Sequence, residues 1–254
     1  DGTLSSQYVT GLIIAFSMLK ANNNDTDYII NIEGEETSCG FIKMTLDMLE
    51  NFGVKTINNK KEIIITGINY CDNNYDVEGD ATTASYLFGW SYLKKFNLEI
   101  PNLKFNSVQP DMNVLIKMLK YFGNLSEKES SLLFEPYQNI RLDSNIFDLD
   151  SSDTFLTWAC LFILENKMVE ITNIKNQNWK ECPRIDKFIE NIENIGGKCE
   201  KTDTGFKILE TNIKSDNVSI NTFKDHRFAM SFSLISMRHE NILISNPHCV
   251  NKTY

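Results

Sequence analysis

Apolar residues recur at three- and four-residue spacing over 41–52, 112–122 and about 183–195. That spacing predicts amphipathic helices. The three runs end alike, as Met48-Leu49-Glu50-Asn51-Phe52-Gly53, Met118-Leu119-Lys120-Tyr121-Phe122-Gly123 and Ile192-Glu193-Asn194-Ile195-Gly196-Gly197. A glycine just past a helix predicts a left-handed terminating residue. Gly53, Gly123 and Gly196 stand 70 and then 73 residues apart, which reads as an internal repeat. Charged or Asn-rich residues follow each helix, and 63–66 and 206–209 then read as short strands. A second helix type is predicted over 6–19, 81–94, 153–164 and 225–237, each opening on a small polar or acidic residue and continuing apolar. The repeat is a unit of about 70 residues holding two helices and several short strands. Residues 22–25 and 58–62 read as polar loops, and 123–145 carries no clear period. An unrelated α+β domain whose helices merely end in glycine fits the same pattern.

With 254 residues, 42% hydrophobic and 23% charged, the chain has ordinary globular composition for one large or two modest domains. Its longest nearly uncharged apolar stretches, 8–19 and 154–164, fall short of the ~20 residues a membrane helix needs, so no membrane partner is expected. No basic-then-apolar leader opens the sequence, and Asp1 lies inside a patterned segment, which reads as one piece of a longer polypeptide. The net charge of -9 gives no basic footprint, so no nucleic-acid partner is expected. Small anionic substrates stay open to it, because a few local Arg and Lys can hold them. Six cysteines, at 39, 71, 160, 182, 199 and 249, form no CxxC pair and suggest free thiols in a reducing, cytoplasmic compartment. Glycine-rich nucleotide loops, HExxH and GxSxG are absent, and three histidines make a Ser–His hydrolase a poor fit.

The chemistry sits at helix starts. Ser5-Ser6-Gln7-Tyr8 offers hydroxyls and free N–H groups, either as a plain N-cap or as an anion site. Lys180-Glu181-Cys182-Pro183-Arg184 and Asp225-His226-Arg227 place cations where the helix dipole disfavours them. A bound anion would offset that cost; a solvated charge run is the alternative. If helical geometry already holds at Lys180, it shares one side with Arg184. Lys252 follows a Pro247-His248-Cys249 turn, and Asp153 after Ser151-Ser152 reads as a simple cap. Should these ends converge, they make an anion cleft containing a few carboxylates.

Taken in order, the residues resemble the EPSP synthase (5-enolpyruvylshikimate-3-phosphate synthase) family over nearly the whole chain, as roughly its C-terminal three-fifths. The resemblance rests on Ser5-Ser6-Gln7-Tyr8, on Ser38 with its helix to Phe52-Gly53-Val54, on Val77-Glu78-Gly79-Asp80-Ala81-Thr82-Thr83-Ala84-Ser85-Tyr86, and on Asp153. It continues through Asn176-Gln177, Lys180-Glu181-Cys182, Arg184-Ile185, Asp225-His226-Arg227-Phe228-Ala229-Met230, Cys249 and Lys252-Thr253. The Asn-Gln-x-x-Lys-Glu-Cys-x-Arg-Ile form looks most like the EPSP synthase portion of the pentafunctional arom polypeptide.

The resemblance implies an α/β (α+β) enolpyruvyl transferase fold. Repeated βαβαββ units would build two domains with pseudo-threefold symmetry, an inside-out α/β barrel with the active site between the domains. Residues 1–78 would finish the first, shikimate-phosphate-side domain, and 79–254 would supply most of the second. The implied reaction moves the enolpyruvyl group of phosphoenolpyruvate onto the 5-hydroxyl of shikimate 3-phosphate, by addition and then elimination, with no metal or organic cofactor. Other shikimate-pathway domains in the same polypeptide would be its partners. By the same resemblance, Ser5, Ser6 and Ser38 would bind the shikimate phosphate and Gln7 would bridge both substrates. Asp153, Glu181 and Lys180 would form the catalytic set. Asp153 would take the hydroxyl proton, Glu181 would exchange a proton with the methylene carbon, and Lys180 with Asn176 would hold the shikimate ring. Arg184, Arg227 and Lys252 would clamp phosphoenolpyruvate.

The chain departs from the family's pattern at three points. Phe41 stands where Tyr is common, Asn178 replaces a usual basic residue, and Pro183 sits inside the Lys-Glu motif. The family's N-terminal Lys-Ser segment, Asn-Ala-Gly loop and early Arg would precede residue 1. The sister UDP-N-acetylglucosamine enolpyruvyl transferases lack the Ser-Ser-Gln and Lys-Glu-x-x-Arg signatures. A degenerate, non-catalytic segment of a multifunctional polypeptide is the alternative of another class.

Overall fold

Twelve short strands and seven α-helices form among the residues described in the computed structural model, which are 1–2, 5–23, 25–34, 39–214 and 217–253. The chain divides into two compact units, Asp1–Val77 with Val108–Pro110, and Glu78–Ser107 with Asp111–Tyr254.

The first unit runs α1 (Ser6–Asn22), β1 (Tyr28–Asn31), α2 (Cys39–Asn51), β2 (Val54–Asn58), β3 (Glu62–Ile68). Its sheet has the order β1-β3-β2, antiparallel throughout. Val9 and Ile13 of α1 and Ile42 and Leu46 of α2 each lie four apart, so each pair shares a face. They pack with Ile30, Ile32 and Ile63 in a small core.

The second unit repeats that order. It runs α3 (Ala81–Lys94), β4 (Leu98–Pro101), α4 (Pro110–Phe122), β5 (Gly123–Lys128), β6 (Ser131–Pro136), with sheet order β4-β6-β5. Next come β7 (Ile146–Asp148), α5 (Phe155–Leu164), β8 (Glu170–Thr172), α6 (Arg184–Asn194), β9 (Lys198–Lys201) and β10 (Phe206–Glu210). Here the order is β7-β8-β10-β9, with β7 parallel to β8 and the other pairs antiparallel. That stretch is a full βαβαββ unit. A last piece, β11 (Val218–Ile220), α7 (His226–Ser236) and β12 (Ile242–Ile244), pairs β11 parallel to β12 as the next unit would begin. The sequence repeat is therefore a repeat of structure: a strand, a helix and a hairpin whose second strand lies in the middle.

Two of the three terminal glycines do what the pattern predicts. Gly53 and Gly196 adopt φ of 87° and 97°, the left-handed region that glycine enters freely. Gly123 does not. It opens β5, and a Cβ there would lie 2.4 Å from a Phe134 ring carbon and 2.5 Å from the Glu135 carbonyl oxygen. Close strand approach, not backbone handedness, requires glycine at that position. The unpatterned segment after it is the β5–β6 hairpin. Much of β5 is polar and exposed at the sheet edge, which hid its period, while Leu132 and Phe134 of β6 alternate inward.

The second unit's core is aromatic. All ten residues of α5 are buried, as expected of a helix apolar on every side. Trp158 stacks on Phe122 at 5.8 Å and Phe162 meets Phe147 at 4.7 Å. Phe188 of α6 and Phe232 of α7 meet with ring centroids 5.7 Å apart, so both helices contribute to this aromatic layer. Burying one such ring stabilises by about 1.5–3 kcal/mol. The starts of α6 and α7 meet through the Arg184–Asp225 ion pair.

Candidate active site

The start of α6 is built from a 3-10 turn, Lys175–Trp179, and a non-helical link over 180–183. The helix itself begins at Arg184, so Lys180 does not reach its position by helical spacing. Asn178 Oδ1 accepts the N–H of Ile185 at 2.9 Å, which caps α6 from outside the helix. A basic side chain could not accept that bond. The Asn178 departure thus has a structural use here.

Arg184 is 1% exposed and is bonded on every side. Its Nε donates to Asp225 Oδ2 at 2.8 Å. Nη1 donates to Asp153 Oδ1 at 3.1 Å and to Gln177 Oε1 at 2.8 Å, and Nη2 donates to Glu181 Oε2 at 2.6 Å. Arg227, in the first turn of α7, reaches the other Asp153 oxygen through Nη2 at 2.8 Å. Lys180 Nζ lies 3.5 Å from Asp153 Oδ1, and Lys252 Nζ pairs with Glu181 Oε1. Six residues named from the sequence, Asp153, Lys180, Glu181, Arg184, Arg227 and Lys252, are thereby brought into one charge cluster.

Asp153 is not a cap. The residue flanking α5 is Thr154, whose side chain makes no cap bond, while Ser152 Oγ accepts the Thr154 N–H at 3.1 Å. The Asp153 carboxylate instead faces Arg227, Arg184, Lys180 and the Gln177 amide, which donates at 2.9 Å. Burial opposes its charge, but those cations and that donor outweigh burial and hold the carboxyl far below the usual range. Glu181 behaves alike: burial raises its pKa, while Arg184 and Lys252 bring it down to about 2. Both carboxyls are ionised at neutral pH. Burial works against the Arg227 charge too, yet Asp153, Tyr86 and Asp111 outweigh it and raise its pKa. The Nε of Arg227 is buried with no hydrogen-bond partner among the described residues. A buried charged donor left unmatched is costly, and an incoming oxyanion would satisfy it.

Asn176 is buried in the 3-10 turn. Ser5, Ser6 and Gln7 belong to the first unit, where Ser5 Oγ caps α1 by accepting the Gln7 N–H at 3.2 Å. Ser6 is buried and Gln7 exposed. Ser38 lies outside the described residues. Reasoning from sequence gave no role to Gln177 and Asp225, which orient Arg184, or to Tyr86 and Asp111 near Arg227. Asp225 could have been read as a cap; Gln177 and Tyr86 stand in the motifs that carry the resemblance, and nothing local marks Asp111. No three His, Cys, Asp or Glu side chains among the described residues are grouped to hold a metal ion. No described helix is long and apolar enough to cross a membrane.

The family model for EPSP synthase (3-phosphoshikimate 1-carboxyvinyltransferase) matches residues 1–254. The chain is 30% identical over 261 residues to the 3-phosphoshikimate 1-carboxyvinyltransferase of Buchnera aphidicola subsp. Cinara cedri, covering 100% of this chain and 58% of that one. It is 31% identical over 258 residues to the protein of that name from Clostridium beijerinckii, again covering 100% and 58%. The chain therefore spans a little over half the length of these curated relatives. Among solved structures it resembles EPSP synthase from Acinetobacter baumannii with a TM-score of 0.68 at 16% identity, over 90% of this chain and 54% of that one. It also resembles the enolpyruvyl transferase NikO from Streptomyces tendae, with a TM-score of 0.61 at 12% identity over 90% and 53%. The repeated units are those of the enolpyruvyl transferase fold, and the chain belongs to the EPSP synthase family.

Proposed function

We propose that this chain is the C-terminal three-fifths of an enzyme that transfers the enolpyruvyl group of phosphoenolpyruvate to the 5-hydroxyl of shikimate 3-phosphate, releasing phosphate. The carrying observation is the Asp153–Glu181 pair, two ionised carboxylates interleaved with Lys180, Arg184, Arg227 and Lys252. Enolpyruvyl transfer needs cations for phosphate and carboxylate, a base for a hydroxyl, and a proton carrier for a methylene carbon. Asp153 serves as the base: as the 5-oxygen attacks C2 of phosphoenolpyruvate, the hydroxyl proton passes to its carboxylate. Glu181 supplies the proton to C3 in addition and takes one back in elimination, as the C2–O bond to phosphate breaks. Without substrate, Lys252 and Arg184 keep Glu181 ionised. A bound dianion that drew these cations to itself would raise the Glu181 carboxyl toward the range where it carries a proton.

Arg227, Arg184 and Lys252 clamp phosphoenolpyruvate in this reading, while Lys180 and Asn176 hold the shikimate ring. In the same reading Ser5, Ser6 and Ser38 bind the shikimate phosphate and Gln7 bridges both substrates. Residues 1–78 complete one domain and 79–254 most of another. The pattern 176–185 supports placing the chain within a pentafunctional arom polypeptide of the cytoplasm, beside other shikimate-pathway domains.

Steady-state phosphate release by the parent polypeptide, given both substrates, tests the reading. Glu181→Gln and Asp153→Asn are expected to cut turnover by about 10²–10⁴-fold with substrate binding largely kept. Arg227→Ala is expected to weaken phosphoenolpyruvate binding, measured by calorimetry, by roughly 10- to 150-fold, the loss of one charge-assisted hydrogen bond. Binding of shikimate 3-phosphate should change far less. A parent without turnover is the degenerate segment of the alternative reading.

A further inference from the structure

Asp225 is fully buried, yet neither of its oxygens faces a free ligand position. Oδ2 accepts Arg184 Nε at 2.8 Å. Oδ1 accepts the backbone N–H of Arg227 at 2.9 Å and so caps α7. The Cys182 thiol points at Oδ2 from 3.9 Å, and His226 Nδ1 lies 3.7 Å from Oδ1. The backbone of Asp225 is itself held, since its N–H donates to Thr222 O at 2.8 Å. One carboxylate therefore touches both guanidinium-bearing segments of the cluster while standing behind them.

We infer that Asp225 is the positioning residue of the site: it aims the Arg184 fork through Nε and sets the helix start from which Arg227 projects. A guanidinium is planar, so fixing Nε fixes the directions of Nη1 and Nη2. With Nε held, the two outer nitrogens lie on Asp153, Gln177 and Glu181. Without it, the fork can turn about its stem and leave those partners. The cap bond adds a second constraint, because a frayed first turn of α7 would let Arg227 drift. A misplacement of about 1 Å can cost on the order of 10²-fold in activity.

The catalytic side of this inference rests on the enolpyruvyl-transfer reading, so the test has one readout that does not. Asp225→Asn keeps a capping oxygen for the Arg227 N–H, since Asn caps as well as Asp, but removes the charge that holds Arg184. Asp225→Ala removes both. In the parent polypeptide, Asp225→Asn is expected to raise KM for phosphoenolpyruvate at least about tenfold with a smaller change in kcat. Carbon-13 NMR titration is expected to show the Glu181 carboxyl moving up from about 2 toward the ordinary range, because Arg184 no longer faces it squarely. A merely capping Asp225 predicts that the Asn variant matches the unsubstituted protein in both readouts, and that result overturns the inference. If the parent shows no enolpyruvyl transfer, the function reading falls, and the Glu181 titration alone decides the positioning role. If the Ala variant does not fold, the Asn variant still decides.

Discussion

Asp80 at the start of α3 and Asp225 at the start of α7 look alike in sequence, each an acidic residue opening an apolar helix. In the structure they do different work. Asp80 is exposed and spends both oxygens on its own first turn, accepting from the Thr82 N–H at 3.2 Å and the Thr83 N–H at 3.1 Å. Asp225 is buried and divides its oxygens between its own helix and Arg184 of another. An exposed cap is worth what the cap bonds give, since water would otherwise solvate the same groups. A buried carboxylate must be matched by a charge, so its partner becomes part of its stability. Capping is a local property, whereas charge matching in the interior depends on which helices pack together.

The contrast can be broken most severely at Arg184. Arg184→Met should leave Asp225 buried without its cation and cost about 3–5 kcal/mol, read from urea unfolding. A loss below about 1 kcal/mol would mean that Asp225 is as self-sufficient as Asp80.

Acid offers a milder probe. Glu181 has a folded pKa of about 2 against an ordinary 4.5, so its stabilising contribution is complete above about pH 4.5 and disappears as pH falls toward 2. Asp153 is depressed too and acts in the same direction. Unfolding free energy should therefore fall with pH across that window, and fall less steeply in Arg184→Met, which has lost the cation common to both carboxylates. Parallel slopes for the two proteins would separate Arg184 from the acid response.

The smallest effect is expected at Asp80. Asp80→Ala should cost about 1 kcal/mol, the usual value of an N-cap, and leave phosphoenolpyruvate affinity unchanged. A change in affinity would show that the exposed cap is coupled to the site.

The helices were legible because their signals are local. The 81–94 reading coincides with α3, and 225–237 encloses α7 with its cap. The 63–66 and 206–209 readings fall inside β3 and β10. Most other strands run only three to six residues, too short to show a period, and β5 lies polar and exposed at an edge. Site residues were named largely through resemblance to the family. Even so, the residues alone suggest a cap at Asp153 and, only if helical geometry already holds at Lys180, a shared side with Arg184, because residue type and spacing do not reveal what lies opposite.

The sequence alone determined the period of about 70 residues, the helix faces, the left-handed ends at Gly53 and Gly196, and which helix starts carry cations. Each follows from interactions within a few residues or from backbone sterics. Tertiary structure alone decided that Gly123 is needed for close strand approach, that Asn178 caps α6 and that Gln177 ties Arg184 to Asp153. It also decided that Asp225 faces a guanidinium 41 residues before it in the chain. Ion pairing acts through space at about 3 Å and is indifferent to distance along the chain, so only the arrangement of α6 and α7 in the fold could settle which carboxylate meets which cation.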